Sequence, residues 1–362
     1  MSERSAPAIP GRDSKWPVAV LGATGAVGQT FVRLLDGHPW FELTEVAASE
    51  RSLGKSYREA ARWLEGSIPE SVARMKLRSC DPADISAPIV FSALGSDVAG
   101  EIETAFARAG RFVLSNAKNF RMDADVPLVI PEVNADHLAL IPAQRGQRGW
   151  TGAIVTNPNC STVVLSMALA PLRRFGLRSV LVTTLQAVSG AGYPGVPSLD
   201  ILGNVVPGIA GEEEKIESET QKILGTLQAG TLAPHPVVVS AQTTRVPVVD
   251  GHTETIAVSL EKTPSIEEVI HALRSFRGRP QELGLPSAPA DPIVWLDAPD
   301  RPQPRLDAER GGGMTVTVGR VRACPVQGVK FVALGHNTIR GAAGAAVLNA
   351  ELMQADGWLQ RT

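Results

Sequence analysis

A short apolar run, a glycine-rich turn and an amphipathic helical pattern follow one another near the start of the chain. The apolar run is Val18–Leu21, the turn is Gly22–Gly28, and Val27, Phe31 and Leu35 then fall on one helix face. A continuous apolar run is typical of a strand that is buried on both faces, as in parallel sheets covered by helices. The pattern therefore predicts a first strand–turn–helix unit of an α/β fold.

Strand and helix patterns continue to alternate up to about residue 158. Further strands are predicted at Leu43–Ala48, Ile89–Ala93, Phe112–Ser115 and Leu128–Ile130, with a helical stretch at Gly100–Ala109. Such alternation favours a parallel sheet with right-handed crossovers. We expect a Rossmann-type doubly wound sheet in this part of the chain.

The pattern changes after about residue 177, where longer β-branched runs begin. Strands are predicted at Ser179–Gln186, Pro236–Ser240, Thr253–Leu260 and Met314–Val321. They favour an α+β domain in which a mixed or antiparallel sheet has helices on one side. The segment Gly341–Gln360 is predicted to be a long helix that returns to the first domain. Two segments rich in Pro, Gly and charge, Pro142–Gly152 and Pro280–Pro304, are predicted to be surface excursions without chemistry.

A length of 362 residues suggests two domains. We place the first at 16–158, completed by a C-terminal helix at 337–362, and the second at 159–336. Residues 1–15 are rich in Ser, Pro, Arg and Gly without periodicity, and we expect a disordered tail there.

Charge and composition exclude several classes of partner. The net charge is −2 and the charges are interspersed, so no nucleic-acid footprint or polybasic membrane anchor is present. No apolar stretch reaches the roughly 18 residues of a membrane span, and the polar start has no signal-peptide core. We expect a cytoplasmic protein with small-molecule partners. Cys80, Cys160 and Cys324 are too few for a disulfide framework and form no CxxC pair, so we expect reduced thiols and no metal site.

The glycine turn has the three-residue spacing of a phosphate-binding loop, at Gly22, Gly25 and Gly28. Glycines let backbone N–H groups approach a pyrophosphate at a helix N-terminus. A tight turn without a ligand is the alternative, but a strand before the turn and a helix after it favour the dinucleotide. The residues predicted to bind the cofactor here are Gly22, Thr24, Gly25, Ala26, Val27 and Gly28.

The end of the second predicted strand bears on the choice between NAD and NADP. Ser49, Arg51 and Ser52 offer donors that suit a 2′-phosphate, which favours NADP. Glu50 favours NAD instead, because an acidic side chain near this position usually binds the ribose of NAD. For Arg51 the alternative is a solvated loop charge.

Cys160 lies where an apolar-periodic run begins, directly after a Pro-containing turn. The run predicts a helix from Ser161 to Phe175 that Gly176 closes and that Asn157 or Asn159 caps. A helix N-terminus favours a thiolate, which is the nucleophilic form of cysteine. A small buried side chain is the alternative, since most lone cysteines are of that kind.

Four further patterns carry polar groups that suit a bound carbonyl compound or anion. Gln186 ends a strand before a flexible Gly-containing loop, and Arg245 and His252 lie on either side of a turn. Glu212 and Lys215 share a helix face. Arg121 follows a predicted strand end, where ligand-binding loops of doubly wound sheets gather. Taken singly, each has a structural alternative such as a surface ion pair of little energetic value.

Taken together and in order, the motifs resemble those of the aspartate-semialdehyde dehydrogenase family, and in particular its archaeal and fungal-like branch. They are Gly-Ala-Thr-Gly-Ala-Val-Gly, Ser-Glu-Arg-Ser, Ser-Asn-Ala-Lys-Asn, Asn-Pro-Asn-Cys-Ser-Thr, Thr-Arg-Val-Pro-Val and His-Asn-Thr-Ile-Arg-Gly-Ala-Ala. The resemblance implies NADP- and phosphate-dependent interconversion of L-aspartate 4-semialdehyde and L-4-aspartyl phosphate through a thioester, in lysine, threonine and methionine biosynthesis. It also implies a homodimer or homotetramer formed through the second, catalytic and dimerisation domain.

The resemblance assigns roles to individual residues. Cys160 is implied as the nucleophile, His252 as the acid/base that takes the hydroxyl proton, and Gln186 as the residue that positions the intermediate. For the substrates, the implied ligands are Arg245 for the carboxylate, Glu212 for the amino group, Lys215 and Arg121 for phosphate, and Asn119. Asn337 is implied to lie near the nicotinamide, and Ser189 and Gly190 are further implied cofactor-binding residues.

Three other functions compete with this interpretation. An acyl-CoA reductase acting on malonyl-CoA or succinyl-CoA has the same fold and thioester step, but Glu212 has no evident use with malonyl-CoA. An N-acetyl-glutamyl-phosphate reductase typically has Gly-Cys-Tyr at the nucleophile, which this chain lacks. A non-catalytic nucleotide sensor would not need Cys160 and His252 together.

Overall fold

The computed structural model describes residues 15–228 and 230–359, and its first part is a five-stranded parallel sheet. The strands are β1 (Trp16–Leu21), β2 (Phe41–Ala47), β3 (Ile89–Ser92), β4 (Phe112–Ser115) and β5 (Ala153–Thr156). They lie in the order β2-β1-β3-β4-β5, and a parallel bridge from Ala47 to Arg78 extends the pairing beyond β2. The strand order reverses between β1 and β3, which is where ligands bind in such sheets. The predicted tail lies, apart from Lys15, outside the described residues.

Both faces of this sheet are buried, which explains its continuous apolar strands. Val18 and Val20 of β1 pack in one apolar cluster, whereas Ala19 and Leu21 pack in another on the opposite face. The helices of this part of the chain are α1 (Ala26–Leu35), α2 (Tyr57–Ala60), α3 (Glu70–Ala73), α4 (Ser96–Arg108), α5 (Pro131–Asn134) and α6 (Ile141–Arg148). The predicted doubly wound parallel sheet is confirmed.

Two local predictions for this part are wrong. Leu128–Ile130 forms only a single bridge to Thr156, because the Asn134 side chain accepts the N–H of Ile130 and donates to the carbonyl of Leu128. Pro142–Gly152 is not a surface excursion, since most of it is α6. The buried amide of Gln144 accepts from the N–H of Ile154 at 2.8 Å and donates to its carbonyl at 2.9 Å. Gln144 therefore covers the free edge of β5, the strand that the sequence pattern missed.

The second sheet has seven strands and is mixed, as predicted. Its strands are β6 (Leu177–Gln186), β7 (Val206–Pro207), β10 (Val238–Arg245), β11 (His252–Leu260), β12 (Ile293–Leu296), β13 (Val316–Cys324) and β14 (Gly328–Gly335), while β8 (Thr226–Gln228) and β9 (Thr231–Ala233) form a separate pair. The order is β12-β13-β14-β11-β6-β10-β7, with β6/β10 and β12/β13 parallel and the other pairs antiparallel. The edge strand β12 lies within Pro280–Pro304, so the prediction of a surface excursion is wrong there too.

Helices cover one face of the second sheet. The helices of this part are α7 (Cys160–Leu169), α8 (Ser198–Ile201), α9 (Glu212–Ile223), α10 (Ile266–Arg274), α11 (Arg279–Leu283) and α12 (Pro304–Asp307). Apolar residues of α7, α9 and α10 share a buried cluster with Val180 and Val182 of β6. On the opposite face, Leu181 keeps 45% of its surface exposed.

The chain ends by returning to the first sheet. A π-helical turn, Ile339–Ala343, leads directly into α13 (Gly344–Ala355), which contacts α1 and β4. Most of α13 is buried in the same cluster as Val18 and Val20. Helix α13 thus packs beside the first sheet. In the parts of the chain that the structure describes, no helix is both long and apolar enough to cross a membrane.

Candidate active site

A cleft lies where the carboxyl ends of β4 and β5 meet the start of α7 and the loop after β6. The predicted residues that line it are Val27, Arg121, Cys160, Gln186, Ser189, Gly190, Glu212, Lys215, Arg245 and Asn337. They come from segments more than 300 residues apart in the sequence. The fold therefore gathers most of the predicted site in one place.

Cys160 lines this cleft, and His252 lies buried in direct contact with it. Cys160 is the first residue of α7, and the side chain of Asn159 caps that helix by accepting from the N–H groups of Ser161 and Thr162. His252 is the first residue of β11 and is fully buried. The Cys160 Sγ and His252 Nε2 atoms lie 3.2 Å apart. This distance is within reach of a nucleophile and its proton partner.

The N–H of Ser161 at the start of α7 lowers the pKa of the Cys160 thiol, but in the free chain burial outweighs this effect. Burial, followed by the negative charge of Glu212, raises the pKa of the Cys160 thiol to about 12. The positive charges of Arg121 and Arg245 oppose this rise without outweighing it. The side-chain oxygen Oδ1 of Asn159 also accepts from two N–H groups of the first turn, so the sulfur shares these donors with the helix cap. The resting form is the thiol.

The His252 ring is neutral, and its protonated nitrogen is defined by its neighbours. The backbone N–H of Ala187 donates to Nδ1 at 3.1 Å, so Nδ1 must be an acceptor. The single proton of the neutral ring is then on Nε2, which faces Cys160. Burial, with smaller contributions from the charges of Arg245 and His336, lowers the pKa of His252 to about 3.

Glu212 is the centre of a polar network beside the nucleophile. Its Oε1 accepts from Lys215 Nζ at 2.7 Å, and its Oε2 accepts from Asn159 Nδ2 at 2.7 Å. Burial alone would raise the pKa of Glu212, but the Lys215 ammonium and the Asn159 and Gln186 amides hold it below its usual value. Glu212 is therefore a carboxylate that faces the cleft.

Two arginines line the cleft. Arg245 ends β10 and is 8% exposed, and its Nη1 donates to the carbonyl of Ala187 at 2.8 Å. Arg121 is equally buried, and its two terminal nitrogens contact Glu219 at 3.0 Å and the carbonyl of Asn116 at 2.7 Å. Two buried guanidinium groups make this cleft suitable for an anionic substrate.

The glycine turn has the close approaches that a phosphate-binding loop requires. Gly22 has a φ of +69°, and a Cβ there would lie 2.7 Å from the carbonyl oxygen of Ala93. A Cβ on Gly28 would lie 2.2 Å from the carbonyl oxygen of Gly22. No side chain caps α1, so the N–H groups of its first turn remain for an anion. The turn fits a dinucleotide pyrophosphate.

The other predicted cofactor residues lie in two places, after β2 and in the cleft. Ser49, Arg51 and Ser52 form an exposed turn after β2. At the cleft end, the buried Asn337 amide accepts from the N–H of Gly251 at 2.9 Å and donates to Ser189 Oγ at 2.7 Å. Asn119 lies apart, because its amide donates to the carbonyl of Ser96 and it does not line the cleft.

The sequence analysis missed several residues that shape the site. Gly341 presses against the nucleophile, since a Cβ there would lie 2.6 Å from the Cβ of Cys160. Glu219 and Lys222 hold the Arg121 loop from α9. The spacing of Glu212, Lys215, Glu219 and Lys222 along one helix face would have pointed to the latter two. Among the described residues, no three His, Cys, Asp or Glu side chains are grouped as a metal site requires.

Comparison with known proteins supplies the family. Residues 17–141 match the model of the semialdehyde dehydrogenase NAD binding domain, and residues 169–340 match that of the semialdehyde dehydrogenase dimerisation domain. An aspartate-semialdehyde dehydrogenase from Archaeoglobus fulgidus is 52% identical over 94% of this chain and 98% of its own length. The chain belongs to the aspartate-semialdehyde dehydrogenase family. The resemblance inferred from the motifs is thus confirmed.

Fungal members of the aspartate-semialdehyde dehydrogenase family are similarly close. The protein from Cryptococcus neoformans is 51% identical over 95% of this chain and 98% of its own length. The crystal structure of aspartate semialdehyde dehydrogenase with NADP from Candida albicans has a TM-score of 0.88 and 44% identity, covering 96% of this chain and 100% of that one. These relatives support the dehydrogenase interpretation and not the acyl-CoA reductase alternative.

Proposed function

We propose that this chain catalyses the NADP- and phosphate-dependent interconversion of L-aspartate 4-semialdehyde and L-4-aspartyl phosphate, a step of lysine, threonine and methionine biosynthesis. The observation that carries the proposal is the 3.2 Å contact between Cys160 Sγ and Nε2 of the buried His252. Cys160 shares its cleft with the Glu212–Lys215 pair and Arg245. The names of the relatives and the NADP in the Candida albicans structure support it.

The first step is attack by the sulfur of Cys160. Its thiol passes its proton to solvent water as the substrate enters the cleft, and the thiolate forms a bond to the aldehyde carbon while the carbonyl electron pair moves to oxygen. The Nε2–H of His252 donates a hydrogen bond to that oxygen, and Gln186 holds the adduct in place. A neutral imidazole whose pKa lies far below 7 suits this donor role.

The cofactor supplies the redox chemistry: when bound, oxidised NADP accepts the hydride from the substrate carbon, which leaves a thioester on Cys160. The residues from Gly22 to Gly28 would hold its pyrophosphate, and Ser49, Arg51 and Ser52 would hold the 2′-phosphate. Ser189, Gly190 and Asn337 would lie at the nicotinamide. The bonded Asn337–Ser189 pair gives that end of the site a fixed donor and acceptor.

The remaining polar residues bind the substrates. Arg245 presents a planar fork to the substrate carboxylate, and Glu212 is an anion for the amino group. Lys215 and Arg121 bind phosphate, whose oxygen attacks the thioester carbon as the C–S bond breaks and the thiolate leaves. Asn119 bonds elsewhere in the free chain, so a substrate role for it requires that the bond to Ser96 be exchanged.

The proposal also covers the organisation of the molecule. We place the dinucleotide-binding domain at 16–158 with 337–362, and the catalytic and dimerisation domain at 159–336. The exposed face of the second sheet, which includes Leu181, supports a homodimer or homotetramer through that domain. The expected location is the cytoplasm.

A direct assay separates the proposed reaction from its main competitor. NADPH formation is followed with aspartate semialdehyde and NADP, with and without phosphate, and NADPH oxidation is followed with malonyl-CoA. The proposal expects turnover only with the aldehyde and only with phosphate. Phosphate-independent turnover of a CoA thioester would overturn the substrate assignment and leave Cys160 as the site of the thioester.

A further inference from the structure

Helix α9 carries four charged residues on the face that it turns toward the cleft and the first domain. Glu212, Lys215, Glu219 and Lys222 recur at spacings of three or four residues, which aligns them along the helix. The first two line the cleft. Glu219 and Lys222 lie deeper, at 2% and 4% exposure, and the reaction proposed above uses neither of them.

Lys222 is bound entirely by backbone carbonyl groups. Its Nζ donates to the carbonyl oxygens of Arg121 at 2.6 Å, Asp123 at 2.7 Å and Val126 at 2.9 Å. An ammonium group has three N–H donors, so all of them are used. The three carbonyls belong to one loop, residues 121–126, which follows β4 at the edge of the cleft. The ammonium therefore acts as a cation inside a carbonyl cage.

Only the charged form of Lys222 can bind all three carbonyls, because a neutral amine has two donors. Burial lowers the pKa of Lys222 to about 8, while the charges of Asp123, Asp125 and Glu219 work against that decrease. The group is still mainly protonated at neutral pH. The positive charge of Lys222 therefore contributes to this contact together with the three hydrogen bonds.

Glu219 joins the same loop to the residue before the nucleophile. Its Oε1 accepts from Arg121 Nη1 at 3.0 Å, and its Oε2 accepts from the backbone N–H of Asn159 at 2.6 Å. Asn159 in turn caps the helix that begins with Cys160. The buried carboxylate of Glu219 therefore connects the guanidinium of Arg121 to the start of α7.

We propose that Lys222 and Glu219 are positioning residues that fix the 121–126 loop, and with it the guanidinium of Arg121, relative to Cys160. Lys222 holds the backbone of the loop, and Glu219 holds the side chain of Arg121. The effect on phosphate binding rests on the function proposed above. The carbonyl cage itself does not depend on that function, because it concerns only contacts within the chain.

Replacement of the lysine by a free cation tests the proposal. Lys222→Ala removes the ammonium and leaves the three carbonyls, and ammonium ion can then occupy the cage. We expect the variant to raise the KM for phosphate at least tenfold with a smaller change in kcat. Ammonium chloride should lower that KM and raise the thermal midpoint of the variant, whereas tetramethylammonium chloride at equal ionic strength should do neither. Lys262→Ala, which removes an exposed lysine bonded to a single carbonyl, is the matched control.

The phosphate KM and the thermal midpoint of the variants decide whether Lys222 and Glu219 position the loop. An unchanged phosphate KM together with a thermal midpoint that does not respond to ammonium would overturn the proposal. If Lys222→Ala does not fold, Glu219→Gln keeps the size of the side chain and should show the same rise in KM, and an unchanged KM there counts against the proposal. Should the wild-type reaction prove independent of phosphate, the proposed function fails, and the ammonium-dependent melting of Lys222→Ala still tests the cage.

Discussion

The backbone N–H of Ala187 donates to Nδ1 of His252, and this single bond leaves the ring proton on Nε2, 3.2 Å from Cys160 Sγ. His252 therefore faces the nucleophile as a donor. For His252 to take a proton from the substrate hydroxyl, as the family resemblance implies, the ring proton would have to move to Nδ1 and the Ala187 bond would have to break.

This arrangement predicts how His252 behaves with pH. Because burial lowers its pKa to about 3, the ring should stay neutral between pH 5 and 8. Long-range ¹H–¹⁵N spectra of imidazole-labelled protein, assigned by loss of the signal in His252→Asn, should show the Nε2–H form throughout. His252→Asn should lower kcat by roughly 10²-fold with little change in substrate KM. An imidazolium signal near pH 6.5 would contradict both the lowered pKa and the acceptor role of Nδ1.

The three free cysteines should differ sharply in reactivity. Burial raises the pKa of both Cys160 and Cys80, whereas N–H groups of Gln327 and Val326 lower that of the half-buried Cys324. Iodoacetamide at pH 7.5 should therefore label Cys324 first in the free enzyme, without loss of activity. Mass spectrometry of labelled peptides against residual activity measures this order. Early labelling of Cys160 would show that its thiolate is already present at rest.

The role of Cys160 itself has a separate test. Cys160→Ala should abolish turnover and leave NADP affinity near normal, because the sulfur bonds to the substrate and is not one of the residues predicted to bind the cofactor. Isothermal titration with NADP and a turnover assay give the two quantities. Cys80→Ala and Cys324→Ala are the controls and should keep activity. Turnover of Cys160→Ala at the wild-type rate would show that Cys160 is not the nucleophile.

Local patterns predicted the parts of this molecule that depend on local physics. The first strand, the glycine turn and α7 follow from apolar periodicity and from residues with special backbone or capping properties, such as Gly22 and Asn159. The cleft residues were found because they occur in recognisable motifs. Their geometry was not predictable, since Cys160 and His252 meet only after two sheets have packed.

The errors have a common cause in long-range contacts. The sequence pattern did not reveal β5, which follows a segment interpreted as a surface loop. In the fold, the side chain of Gln144 from that segment covers the edge of β5. The thiolate prediction considered the helix dipole alone, whereas the folded chain adds burial and the nearby charge of Glu212. Glu219 and Lys222 carried a helical spacing signal, but their partners in the 121–126 loop are about a hundred residues away.

Cofactor preference depends on the exposed turn after β2. If Arg51 binds the 2′-phosphate, Arg51→Ala should lower kcat/KM for NADP by at least tenfold more than for NAD, because a charge-assisted hydrogen bond is lost. The ratio of the two efficiencies is the measured quantity, and Lys55→Ala, another exposed cation nearby, is the matched control. Equal losses for both cofactors would leave Arg51 a structural residue and favour Glu50 as the ribose ligand of an NAD site.

The burial of Glu254 predicts that the free energy of unfolding depends on pH. It lies on β11 two residues after His252, is fully buried, and neither carboxyl oxygen has a hydrogen-bond partner within the described residues. Burial raises the pKa of Glu254 well above its usual value. The carboxyl is protonated in the fold, so stability is greatest below the unfolded pKa and is lost as pH rises toward the folded pKa.

Glu254→Met should remove that loss. We expect the free energy of unfolding to rise by about 2 kcal/mol at pH 8, and by less at pH 4.5, because an unpaired buried polar group is replaced by an apolar one of similar length. Urea unfolding at the two pH values measures the difference, with Glu268→Met, an exposed helix-capping residue, as the control. A variant that is less stable at pH 8 would mean that Glu254 has a partner that stabilises its charged form.

Phosphate recognition is the property that separates the proposed reaction from acyl-CoA chemistry, and it depends on two cations that are already paired. Lys215 binds Glu212 and Arg121 binds Glu219. Changing Lys215 to Leu should raise the KM for phosphate steeply, by tenfold or more, because a dianion in a partly desolvated cleft loses a charge-assisted partner. Arg121→Leu should do the same and should also lower stability, since the buried Glu219 is left without its cation.

Lys118→Leu is the matched control for Lys215→Leu. Lys118 is a cation that also lines the cleft, but it is exposed and has no ion-pair partner among the described residues. An equal rise in phosphate KM for Lys118→Leu and Lys215→Leu would mean that the cleft attracts phosphate by overall charge, and that neither lysine is a specific ligand.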